Sequence, residues 1–109
     1  LAVIFSAQLW ATTYTYSGSW SPGLPLGSVK KFNAGDAVII SSGATYSQTN
    51  NFEFKNGATL TINSGAEWIT NKKDIIFKNN STGTNNGTLT IENKGVLKLL
   101  QTSIFTNNG

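Results

Sequence analysis

Short bursts of alternating apolar and polar residues, each closed by a turn dipeptide, run through the chain from residue 35 onward. The clearest lies at residues 56–65, N-G-A-T-L-T-I-N-S-G, where Leu60 and Ile62 alternate with Thr59, Thr61 and Asn63. A period of two is the mark of a half-buried strand, and N-G and S-G are turn signals. Relatives of this stretch stand at residues 86–95 as N-G-T-L-T-I-E-N-K-G and at residues 35–43 as G-D-A-V-I-I-S-S-G.

Aligned on these stretches, the chain divides into repeats at residues 36–57, 58–87 and 88–109, of 22, 30 and 22 residues. The middle unit then carries eight extra residues near Ser81, around S-T-G-T-N-N. Each unit holds three β-prone pieces, too short and too often punctuated for helices. Three strands closing a turn in 22 residues predict an all-β fold, a parallel β-helix or β-solenoid of about three coils over residues 35–109. Stacking equivalent strands about 4.8 Å apart puts like residues in columns. The expected inward columns are Val38, Leu60 and Leu89; Ile40, Ile62 and Ile91; and Phe54, Phe77 and Phe105. On the second side Tyr46 aligns with Trp68, and the third unit offers Lys98 there unless a shift turns Leu97 or Leu99 inward.

Residues 1–34 read as an N-terminal strand and cap. Residues 1–7, L-A-V-I-F-S-A, have two readings: the tail of a secretory signal peptide, or a retained strand that faces a core through Val3 and Phe5 or through Ile4. Residues 13–16 alternate Thr13 and Thr15 with Tyr14 and Tyr16, before a turn-rich stretch around Pro22, Gly23 and Pro25. Tyr14, Tyr16 and Trp20 are candidates for a sugar-binding platform, or else for a lid over the open end of the core.

Composition narrows the chemistry. The chain has no Cys, His, Arg or Met, and its net charge of +3 comes from scattered lysines. It therefore offers no thiolate, no imidazole base or metal ligand, and no bidentate phosphate clamp. A nucleic-acid partner calls for a denser basic stripe, and no stretch reaches the ~20 apolar residues of a membrane-spanning helix. Charged residues make up 12%, about half the usual share. A surface of Thr, Ser, Asn and Gly suits an extracellular β protein. No cofactor, metal or catalytic residue is expected. The five acids are spread over different strands and turns; Glu53 and Asp74 could lie near each other on neighbouring coils, the alternative being solvated surface acids that balance Lys55, Lys72 and Lys73.

The segment W-S-P-G-L-P at residues 20–25, followed by G-D-A-V-I-I-S-S-G and the N-G-x-L-T-I units, resembles the N-terminal β-solenoid region of secreted, adhesin-like surface proteins of Bacteroidota. The likeness covers most of residues 14–109. It implies an exported protein that serves attachment or carries other domains. The sequence stops at a repeat boundary without a C-terminal sorting domain, which leads to the expectation of a piece of something longer.

Three functional readings follow. The first is a non-catalytic segment for cell-surface attachment or display. The second is a filament subunit assembled by coil stacking or strand exchange, with Val3, Ile4 and Phe5 as the donated strand and Leu97, Leu99 and Ile104 at an exposed end. The third is a module for surface glycans built on Trp20, Tyr14 and Tyr16. The Ser81 excursion, with Thr82 and Thr84, is expected to project as a loop and is a further binding candidate. Asn79, Asn80 and Asn86 each begin an N-x-S/T sequon. Outward Thr59, Thr61, Thr88 and Thr90 suggest a threonine array of the ice-binding kind, interrupted in the first unit by Ala37 and Ile39.

Overall fold

The computed structural model describes residues 11–109, which form thirteen short strands and no helix. They are β1 (Thr13–Tyr16), β2 (Trp20–Ser21), β3 (Val29–Phe32), β4 (Ala37–Ile40), β5 (Thr45–Ser47), β6 (Asn51–Phe54) and β7 (Thr59–Ile62). The others are β8 (Glu67–Ile69), β9 (Ile75–Phe77), β10 (Thr82–Asn85), β11 (Thr88–Thr90), β12 (Leu97–Leu99) and β13 (Ile104–Asn107). Every third strand, by and large, returns to the same side. The first sheet runs β2-β1-β4-β7-β10-β13, the second β5-β8-β11, and the third β3-β6-β9-β12. All pairings are parallel except β1 with β2. The expected parallel β-solenoid is present, with about four turns in place of about three.

The alternation in sequence becomes an inside and an outside. Val38 stacks on Leu60 and Ile40 on Ile62, Tyr46 on Trp68, and Phe32, Phe54 and Phe77 form one column. All of these are buried. Each such side chain contributes about 1.5–3 kcal/mol by leaving water. The phenylalanine column is close to face-to-face, with Phe32–Phe54 and Phe54–Phe77 centroids 5.0 and 4.9 Å apart. The corner between third and first sheets is a tight turn repeated in every coil. Asp36, Ala58, Ser81 and Ser103 each donate a backbone N–H to the carbonyl three residues earlier. Asn56 and Gly57 make one of these turns with φ of 55° and 87°, the left-handed pair that an N-G dipeptide adopts readily. Asn79–Asn80 and Gln101–Thr102 repeat it without glycine.

The phase of the last coils differs from the expected one. Thr82, Gly83, Thr84 and Asn85 lie beside Thr59, Leu60, Thr61 and Ile62, and Ile104–Asn107 lies beside them in turn. The eight supposed extra residues are therefore no insertion; they contribute a full rung of the first sheet. Leu89 moves to the second sheet, where it stacks on Trp68 and takes the place expected for Lys98. Lys98 is on the third sheet opposite Ile76, and Leu97 and Leu99 stack there on Ile75 and Phe77. Phe105 sits over Gly83, so it leaves the expected column with Phe54 and Phe77. The column is rebuilt as Val38, Leu60, Gly83 and Phe105, and its neighbour as Ile40, Ile62, Asn85 and Asn107.

The reason lies in size and polarity. Inward residues of β10 are Gly83 and Asn85, neither of which announces a core strand. Gly83 makes room: a Cβ there would stand 2.5 Å from Phe105 Cδ2 and 2.7 Å from Phe77 Cζ. Asn85 is buried yet fully engaged. Its Nδ2 donates to Asn107 Oδ1 at 2.9 Å, and its Oδ1 accepts from Gly87 N at 3.1 Å. A second polar group is tied down at the next corner. Buried Gln48 accepts from Trp68 Nε1 at 2.9 Å and donates to the carbonyls of Asn50 and Asp74 at 2.8 and 2.7 Å.

Two stability predictions follow from this packing. Gly83→Val should cost about 1–3 kcal/mol in urea unfolding by overfilling the core. Adding Phe105→Ala should recover part of that loss, and strictly additive losses would contradict the packing described. Gln48→Leu should cost about 1–3 kcal/mol, because it strands the indole N–H of Trp68; unchanged stability would show that bond to be dispensable.

Candidate binding surfaces

The N-terminal end of the solenoid is closed by aromatic rings. Strand β2 folds back on β1 and sets Trp20 beside Tyr16. The Trp20 ring lies 5.1 Å from Tyr16 and 5.0 Å from Tyr46, the latter edge-on. Tyr14 meets Phe32 edge-on at 5.3 Å. These offset and edge-to-face contacts are the favoured geometries for quadrupolar rings. Tyr14, Tyr16 and Trp20 are half-buried and pack on the core cluster, so the structure places all three together as a lid. Lys30 completes it: its position in the ladder is next to Phe52, and its Nζ donates to the Pro25 carbonyl at 2.9 Å.

Below the lid, Tyr46 is buried and its hydroxyl has no hydrogen-bond partner among the described residues. Burial pushes its ionisation above the ordinary phenol value, and neighbouring Thr49 and Trp20 offset this only in part.

Ser81, Thr82 and Thr84 are not in a projecting loop. Ser81 is 0% exposed, at the corner leading into β10, and its hydroxyl has no hydrogen-bond partner among the described residues. Thr82 and Thr84 are on the outer face of β10, in register with Thr59 and Thr61. The backbone of the supposed loop is consumed by ladders to β7 and β13, which is why it cannot project. The signal for this was available: S-T-G-T-N-N-G at residues 81–87 returns as S-I-F-T-N-N-G at residues 103–109, 22 residues on. It was masked because the first copy has no apolar residue to mark an inside.

The opposite end presents apolar surface. Ile91, Val96, Leu99, Leu100 and Ile104 are exposed. Leu89, Leu97 and Phe105 are half-buried there and, with Asn85, Asn107 and Ile91, line an open hollow of about 390 Å³. Leu97 and Leu99 thus reach this end through β12, while Ile104 is on the outer face of β13. Val3, Ile4 and Phe5 lie outside the described residues.

The side chains of three of the five acids have partners. Asp36 accepts from the backbone N–H groups of Thr12 and Asn33 at 3.0 and 2.9 Å, Glu67 accepts from Thr90 Oγ1 at 3.0 Å, and Glu53 pairs with Lys78 at 3.2 Å. Glu53 stands beside Ile76 in the ladder. Among the described residues, no three acidic side chains gather to hold a metal ion. Compared with protein-family models, curated proteins and solved structures, the chain matches none.

The buried phenol sets a pH dependence. In the unfolded chain Tyr46 ionises near its ordinary value of 10.0, and in the folded chain only above it. Over that interval the folded state holds more protons, so stability is full below pH 10 and falls as pH rises. The unfolding midpoint should drop above pH 10 less steeply in Tyr46→Phe than in the parent. Parallel curves would show that the phenol carries no such load. Near neutral pH, Tyr46→Phe should be neutral or slightly stabilising, since it removes an unpartnered hydroxyl.

Proposed function

We propose that this chain is a non-catalytic structural segment of a secreted or cell-surface protein, a rod that serves attachment or display. The observation that carries this reading is the in-register stack itself. Four turns of strand are devoted to repeating one cross-section, and Asp36, Glu67, Glu53 and Lys78 are engaged in a turn cap, a hydrogen bond between coils and a surface ion pair. Composition supports it, since a chain without His, Cys or Arg and with a neutral Thr/Ser/Asn surface is suited to an extracellular role. The resemblance of its motifs to adhesin-like surface proteins of Bacteroidota agrees with that role. Gold-labelled antibody against this chain should decorate intact source cells, or filaments shed from them. Label confined to the cell interior would sink the proposal.

The second reading, assembly by coil stacking, is favoured by the asymmetry of the two ends. One end is closed by Trp20 and its neighbours. The other exposes Ile91, Leu99 and Leu100, with Ile91 lining an open hollow, and the outer backbone edges of β11, β12 and β13 have no partner strand among the described residues. Such edges and patches favour pairing with more strand. The occupant in this reading is a second copy of the chain. Sedimentation should show self-association that weakens at least tenfold in Ile91→Lys/Leu99→Lys. A parent that stays monomeric at high micromolar concentration rules out self-stacking. The glycan reading retains the aromatic lid at Tyr14, Tyr16 and Trp20 as its only support, and those rings are packed against Phe32, Tyr46 and Phe52.

A further inference from the structure

We propose that the outer face of the first sheet binds ice. The corrected register creates an array that the expected one did not contain. Thr13, Ala37, Thr59, Thr82 and Ile104 form one outward column across β1, β4, β7, β10 and β13. Thr15, Ile39, Thr61, Thr84 and Thr106 form the second, beside it. Seven of these ten side chains are threonine and two are isoleucine, so a β-branched methyl recurs at every point but Ala37. Thr88 and Thr90 belong to the second sheet and have no part in it.

Three properties of this face select the ligand. First, it is regular. Branching at Cβ stiffens χ1, and five strands in unbroken register repeat about every 4.8 Å across the sheet and about 6.7 Å along each strand. That grid is of the same order as the oxygen spacings on the prism face of hexagonal ice. Second, it carries no charge. The corresponding outward column of the third sheet is Lys31, Glu53, Ile76 and Lys98, so neutrality is particular to the first sheet. Third, the ten positions include no aromatic ring for a sugar to stack on. A neutral, periodic solid is the ligand such a surface fits. The methyl groups order the adjoining water, and the threonine hydroxyls hydrogen-bond into that layer at lattice intervals.

This surface is distinct from the apolar end invoked for stacking, so the two readings fail separately. The measurements are thermal hysteresis and inhibition of ice recrystallisation, with circular dichroism to confirm folding. The parent chain should show both activities. Thr61→Lys and Thr84→Lys, at the centre of the array, should each abolish them. Ser47→Lys, on the outer face of the second sheet, and Leu99→Lys, at the open end, should leave them intact. Ala37→Thr, which supplies a β-branched side chain and a hydroxyl at the one position without either, should increase hysteresis. A folded parent that freezes like an equal concentration of albumin overturns the proposal. So does equal activity in Thr61→Lys and Ser47→Lys, or a finding that this face instead joins two copies and has no effect on ice.

Discussion

The parallel hydrogen-bonded ladder between equivalent strands of successive turns is the constraint on which the rest of this molecule depends. Once β4 is paired with β7 from Ala37–Thr59 to Ile40–Ile62, inside and outside are fixed for every later rung of that sheet, because a slip of one residue would invert all of them. Corners must then return the chain in a nearly constant number of residues. Paired positions are separated by 21 residues, as from Glu67 to Thr88, up to 24, as from Thr13 to Ala37. The repeated i to i+3 turn and its left-handed asparagines serve that closure.

Within this frame the interior tolerates large changes of chemistry from rung to rung. Ile40 and Ile62 give way to Asn85 and Asn107 in the same column. The apolar stack becomes an amide stack, in which Asn85 donates to Asn107 and each side-chain oxygen accepts from the backbone N–H two residues on or from the neighbouring amide. A buried polar group is costly only when left unpaired, and the ladder supplies a partner at the right distance. Gly83 and Phe105 show the same economy with volume: the ring of one rung occupies space left by the other.

The ends and the sides of the rod consequently have different functional content. At one end the growth of the ladder is closed by β2, which runs antiparallel, and by a cluster of rings. At the other the columns stop at Leu89, Leu97 and Phe105 around an open hollow. On the sides, the outer faces differ in charge, although the same turn chemistry builds all of them. Function in such a fold depends on which outward residues the ladder aligns, since the turns leave little room for a deep pocket.

The amino-acid sequence by itself determined the class of fold. Leu60 and Ile62 between threonines, the N-G and S-G corners, and the 22-residue return of F-K-N at Phe54 and Phe77 are enough to specify short strands wound into a coil. The sequence also placed Tyr14 and Tyr16 on one side of their strand. Alternation has a period of two and no address, however, and T-L-T-I reads the same on the first sheet at Thr59–Ile62 as on the second at residues 88–91. Only the tertiary structure decided that Leu89 belongs over Trp68, that Phe105 belongs over Gly83, and that Thr82 and Thr84 extend the rank begun by Thr59 and Thr61. The physical reason is that the first sheet needed a rung there, and T-G-T-N could supply it through an absent side chain and an amide, two residues that carry no hydrophobic signal.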